Sequence, residues 1–190
     1  MQLPILSLIT FLPILGMIII LALPKEQTKV IKSLTLLITG IQVILAVFIM
    51  TNYNYALGGI FEEATFQFRE KWRWIDIDGF SWLGKIKVDY FLGIDGISAP
   101  LVLLTAIVTF IATISSWTIS KSIKGYFALF LLLDTGMMGV FVSLDFFLFF
   151  IFWELMLLPM YFLIGDWGGP RREYAAIKFF IYTLLGSIFI

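Results

Sequence analysis

A chain of 190 residues that is 61% hydrophobic and 14% charged, with a mean hydropathy of +1.01, falls far below the roughly 25% charge of a water-soluble domain and reads as a membrane protein. Thirteen basic against thirteen acidic residues give zero net charge, and the basic ones are scattered, which argues against nucleic-acid binding. The chain has no Cys and no His, so it offers no ligands for a Cys-bound iron–sulfur cluster, a His-bound haem, a disulfide or a typical zinc or copper site, and any redox step belongs to another chain.

The opening run, MQLPILSLITFLPILG, has neither a basic leader nor a small-residue cleavage site and is expected to be retained as the first span, Leu3 to Leu23. A second apolar run covers Ser33 to Met50. Between 52 and 98 the chain turns polar and aromatic. In FQFREKWRWIDID, residues 66 to 78, Phe66 and Phe68 alternate with Gln67 and Arg69, then Trp72 and Trp74 with Lys71 and Arg73, a period of two around a polar turn that predicts a hairpin within the stretch. Ile86, Val88 and Tyr90 offer one more strand. Such a hairpin is either an amphipathic cap in the interfacial aromatic belt or a docking surface for a neighbouring subunit. Asp95 and Ser98, ahead of Pro100, stand where helix N-caps belong.

Three further runs of spanning length follow at Ala99 to Ile119, Gly125 to Leu144 and Phe146 to Gly165, and a sixth opens near Tyr174 and is still apolar at Ile190. The expectation is an all-α polytopic membrane protein with about six transmembrane helices and a small aromatic-rich β-hairpin in its external loop. The chain divides as 1–51, helices 1 and 2; 52–98, the external loop; and 99–190, helices 3 to 6, cut from a longer protein. Lys25, Lys29 and Lys32, then Lys121 and Lys124, then Arg171, Arg172 and Lys178 follow the first, third and fifth spans, so they share one side if the spans alternate. That side is expected to be cytoplasmic, with the N-terminus and residues 52–98 outside.

Two carboxylates interrupt the apolar runs. An ionised acid at mid-bilayer costs roughly 2.5 to 3.5 kcal/mol, so such residues face protein or water and generally serve a purpose. Glu154 lies about 15 Å beyond Leu144 at 1.5 Å per residue, and Asp134 lies equally far before it. The two therefore share a depth on consecutive antiparallel helices. If they face each other their titrations are coupled and a proton relay results; otherwise each is a hydrogen-bonding glue between helices. Pro159 frees the carbonyl of Leu155 beside the glutamate. Lys178 enters the sixth span about one turn from its basic end, where it either snorkels or opens a polar stripe with Tyr182 and Thr183. No GxGxxG, P-loop, HExxH or nucleophile constellation is present.

The stretch LDFFLFFIFWELMLLPMYFLIGDWGGPRREYAAIKFFIYTLLGS, 144 to 187, together with FLGIDGISAPLVLLT, 91 to 105, resembles the antiporter-like core of the proton-pumping NADH:quinone oxidoreductases, respiratory complex I, and among them the chain M, or chain 4, family. The related chain L and the multisubunit sodium/proton antiporters usually differ after the glutamate, where Leu157, Leu158, Pro159 and Met160 stand here. The resemblance implies a proton-translocating membrane-arm subunit of about 14 helices, of which these residues form the beginning and by themselves are inactive. It implies that Glu154 pairs with a lysine on a later, discontinuous helix, and that Lys178, in the recurring AAxKFF pattern, belongs to the path or to its structure; it assigns nothing to Asp134, whose case rests on depth alone. Other membrane-arm subunits and the lipid bilayer are the implied partners, and NADH, FMN, iron–sulfur clusters and quinone are expected on other subunits. The expected location is a bacterial plasma membrane. A sodium/proton antiporter subunit and a purely structural or assembly subunit are the alternatives.

Overall fold

The computed structural model describes residues 4–55, 66–80 and 84–189. Helices α1 (Ile5–Ala22), α2 (Thr28–Thr51), α3 (Ser98–Ser115), α4 (Ile123–Val142) and α5 (Phe146–Trp167) are long and apolar enough to cross a membrane. The sixth, α6 (Arg172–Ser187), has 16 residues among those described. α1 packs on α4 and α2, α2 on α3, α4 on α5, and α5 on α6. Most of the apolar side chains at the outer faces of α1, α2 and α3 remain exposed, as Leu15, Ile44 and Val108 do, which is the pattern of helices solvated by lipid rather than water.

The helix boundaries follow local chemistry. α2 begins at Thr28, ahead of the Ser33 start expected from hydropathy, and so Lys29 and Lys32 stand on its first turns instead of in a loop. Lys32 is accommodated because its ammonium donates to the carbonyls of Trp117 at 2.6 Å and Ile119 at 3.0 Å, acceptors in the short turn that follows α3. At the start of α3, the Asp95 carboxylate accepts from the Ile97 and Ser98 amides at 3.0 and 2.7 Å while the Ser98 hydroxyl accepts from the Asp95 amide at 2.8 Å. Burial opposes ionisation of Asp95, but the hydrogen bonds from Ser98 and Ile97 outweigh it and hold the carboxyl below the usual aspartate range. Asp145 caps α5 in the same way, accepting from Phe147 and Leu148 at 2.9 and 3.1 Å.

The hairpin forms, but its turn is displaced. β1 (Gln67–Phe80) runs unbroken through the stretch expected to bend and pairs antiparallel with β2 (Gly84–Ile94), with Trp72 opposite Tyr90 and Ile77 opposite Ile86. The polar residues read as a turn lie within a long strand, with Arg69 and Lys71 exposed and Glu70 buried, and the connection at 81–83 lies outside the described residues. Phe68, with a φ of 53°, is in the left-handed region that costs a non-glycine residue about 1 to 2 kcal/mol, at the register shift between Gln67 and Glu70.

This shift aims Glu70 into the bundle. Its carboxylate is 8% exposed and accepts from the Leu6 amide at 2.7 Å, the Ser7 amide at 3.1 Å and the Ser7 hydroxyl, which fills the open N–H groups of the first turn of α1 and sets a negative charge at the positive end of its dipole. Tyr90 joins through a 2.7 Å contact to Ser7. The Leu144 amide donates to Phe91 at 2.9 Å, and Leu92 bridges Ser143. The hairpin is thereby fastened to the start of α1 and to the α4–α5 turn. At the opposite end Lys124 donates to Leu23 and Lys121 to Asp166, at 2.8 and 2.9 Å. One end of the bundle carries the hairpin and the other the basic connections.

Candidate functional site

The three sequence-predicted site residues do not come together. Gly136 and Gly139 mark the face of α4 that meets α5: a Cβ on Gly136 would lie 2.5 Å from Met156 Cγ and 3.2 Å from the Phe152 carbonyl oxygen, and one on Gly139 would enter the Phe152 ring. At about 100° per residue, Asp134 stands roughly half a turn from that face. Glu154, midway between Phe152 and Met156 in sequence, likewise stands half a turn from the face of α5 that meets α4. The two carboxyls share a depth but point away from each other across the α4–α5 contact, and the facing pair left open by the sequence is not formed.

Glu154 lies close to the middle of α5 and is half-buried. Its Oε1 is enclosed and has no hydrogen-bond partner among the described residues. Next to it Trp153 donates to Ser187 on α6 at 3.1 Å, Tyr161 meets Phe180 edge-on at 5.5 Å, and Gly165 approaches Ala176. These contacts define the α6-facing ridge of α5, and Glu154 flanks it. Pro159 is buried within the helix, and the Leu155 carbonyl it leaves without a helical donor is one residue from the glutamate. A carboxylate and a free carbonyl at this depth form a small polar site able to accept hydrogen bonds from water or an arriving cation.

Lys178 is exposed on α6, half a turn from Ala176, Phe180 and the rest of the α5-facing side. Its ammonium lies 5.7 Å from the Tyr174 ring, in a groove of about 880 Å³ that also contains Arg171, Arg172 and Tyr182. It is about 9 Å from the start of α6 at 1.5 Å per residue and does not meet Glu154.

Asp134 is completely buried, and neither carboxyl oxygen has a hydrogen-bond partner among the described residues. The polar side chains acting on it are Gln42 of α2 and Thr109 of α3. Sequence reading passed over both. A glutamine within an apolar span was a visible signal for the first; a threonine in a membrane helix is too common to single out the second.

A sequence model of the NADH:quinone oxidoreductase/Mrp antiporter transmembrane family matches residues 143–190, the segment that holds Glu154 and Lys178. The NAD(P)H-quinone oxidoreductase chain 4 of the Chaetosphaeridium globosum chloroplast is 40% identical over 187 residues, 98% of this chain and 34% of that protein. Its Chara vulgaris counterpart is 39% identical over 189 residues, all of this chain and 36% of that one. The chain therefore spans about a third of the length of these relatives. Among solved structures, a chain of the membrane-bound sulfane sulfur reductase, an archaeal respiratory membrane complex, superposes over 98% of this chain and 35% of its own with a TM-score of 0.73 at 23% identity. A chain of respiratory complex I from Thermus thermophilus does so over 96% and 33% with a TM-score of 0.69 at 24% identity. Over its whole length the chain is thus a homologue of about a third of NAD(P)H-quinone oxidoreductase chain 4, and it has the fold of the matching third of a respiratory complex I chain.

Proposed function

We propose that this chain forms part of a proton-translocating membrane-arm subunit of an NADH:quinone oxidoreductase, with Glu154 as the carboxyl that loads and releases the proton. The observation carrying the proposal is the enclosed, unpartnered Oε1 of Glu154 near the middle of α5, beside a carbonyl opened by Pro159 and within the segment that matches the antiporter family. The glutamate would release its proton as a lysine of a later helix, implied by the family resemblance, comes near it. Lys178, in the groove at the basic end, is assigned to proton uptake from that side. The work is electrostatic: NADH, FMN, iron–sulfur clusters and quinone would reside on other subunits, and these 190 residues are assigned no transport of their own. Neighbouring antiporter-like subunits are the proposed partners.

A sodium/proton antiporter subunit remains the second reading, because the matching family covers both kinds of protein. Purification of the tagged full-length protein from its native membrane separates the two. Recovery with a complex that reduces quinone with NADH supports the oxidoreductase; recovery with other antiporter chains and without that activity contradicts it.

We also propose that the hairpin end faces away from the side holding the basic connections, the cytoplasmic side in a plasma membrane. The excess of Lys and Arg in the short connections supports this sidedness. The relatives are named as chloroplastic, which gives a bacterial plasma membrane no support, so the proposal is limited to sidedness. Cysteines introduced singly in place of Trp74 on the hairpin, 53% exposed, and Lys29 at the basic end should react with an impermeant maleimide from opposite faces of sealed vesicles. Labelling of both from one face would overturn the topology.

A further inference from the structure

Four buried polar atoms on α2, α3 and α4 have no hydrogen-bond partner among the described residues: both carboxyl oxygens of Asp134, Oε1 of Gln42 and Oγ1 of Thr109, with Gln42 and Thr109 near enough to act on Asp134. The three side chains are 0%, 0% and 2% exposed. Gln42 is held in place by donation to the Ile9 carbonyl at 3.2 Å. Thr109 is the exception among the buried helix threonines. Thr10, Thr35, Thr39, Thr113 and Thr135 each donate to the carbonyl four residues back, the usual resting state of a threonine in an apolar helix. Thr109 forgoes that bond, and its hydroxyl and the Gln42 amide are the groups acting on Asp134.

A buried polar atom without a partner costs about 1 to 3 kcal/mol, and an isolated carboxylate costs far more, so a dry, ionised cluster would not persist. Gln42 and Thr109 are close enough to act on the carboxyl without meeting hydrogen-bond geometry, and a bound water with two or more polar partners satisfies groups left in this way. A divalent metal does not suit the site, since one carboxylate leaves it underneutralised and no group of three acidic or other ligating side chains is found among the described residues.

We propose that Asp134, Gln42 and Thr109 form a hydrated proton-holding site, in which a protonated Asp134 shares bound water with the other two side chains and exchanges its proton through that water. The exchange is balanced: the carboxyl O–H bond breaks as its proton passes to the water oxygen, and that water returns a different proton to the other carboxyl oxygen, leaving no net charge. The site lies on the side of α4 opposite Glu154 and operates whether or not Glu154 carries protons.

The test is infrared difference spectroscopy on the purified full-length protein in its complex. A carboxylic C=O band should disappear in Asp134→Asn, shift when H2O is replaced by D2O, and exchange about tenfold more slowly in Thr109→Val, the expected consequence of one lost hydrogen bond. Glu154→Gln should leave that band and its exchange unchanged, which separates this site from the transport reading. Thr109→Val is nearly isosteric and reports on the band even if Asp134→Asn fails to assemble. Absence of the band, a band insensitive to D2O, or an exchange rate unaltered by Thr109→Val would each overturn the proposal.

Discussion

Replacing both Gly136 and Gly139 by valine should lower the amount of assembled protein in the membrane by about tenfold or more, the effect of a loss of about 1.4 kcal/mol or greater on an equilibrium. These glycines are where α4 and α5 touch, and membrane helices associate chiefly through close backbone packing at small residues. At Gly136 the obstacle includes backbone, the Phe152 carbonyl oxygen at 3.2 Å and the Met156 amide nitrogen at 3.4 Å, whereas at Gly139 it is the Phe152 ring. Overpacking of this kind costs about 1 to 3 kcal/mol per site. The difference between the sites is itself testable. Phe152→Ala should restore assembly to Gly139→Ala but not to Gly136→Val, because only the former clash is with a ring that can be removed. Wild-type levels of the double valine variant in a quantitative immunoblot would show that the α4–α5 contact is not as close as described.

Glu154→Gln in the full-length protein should preserve assembly and lower NADH-driven quinone reduction in coupled membranes by roughly 10²-fold, the lower range for loss of a positioned proton-transfer group. Glutamine keeps the shape and the hydrogen-bonding capacity of the side chain but cannot ionise. Glu154→Asp keeps the charge on a shorter arm and should retain more activity. Phe150 and Leu158 lie one turn to either side on the same face of α5, so Phe150→Glu or Leu158→Glu in the Glu154→Gln background should restore part of the rate if charge at this depth is what matters. Activity in the relocated variants no higher than in Glu154→Gln would tie function to the exact position instead.

The parts of this structure legible in the sequence are those governed by local chemistry. Apolar runs gave the spans, and Asp95 and Ser98 read correctly as marking the start of α3 because a cap acts within three residues, whereas the Asp145 cap of α5 was passed over. The hairpin turn was misread because Arg69, Glu70 and Lys71, consecutive polar residues inside a long strand, look like turn residues when the stretch is short. Lys29 and Lys32 were read as loop residues because hydropathy ignores the chain carbonyls that satisfy Lys32. The facing of Asp134 and Glu154 was not legible at all. Both helices are apolar on every side, so no periodicity fixes their rotation, although Gly136 and Gly139, three residues apart, carried a usable signal of the contact face. The capture of α1 by Glu70 joins residues 63 apart or more, and nothing in either segment alone predicts it.

The proposed function requires that Glu154 be kept in an apolar helix for its proton. The most direct test measures NADH-driven proton uptake into inverted vesicles from membranes carrying Glu154→Gln, with the content of assembled complex determined on the same preparation. The account predicts normal content with proton uptake reduced to near the level of uncoupled vesicles. Normal content together with normal uptake would contradict it, since that is the behaviour of a glutamate that only holds helices together.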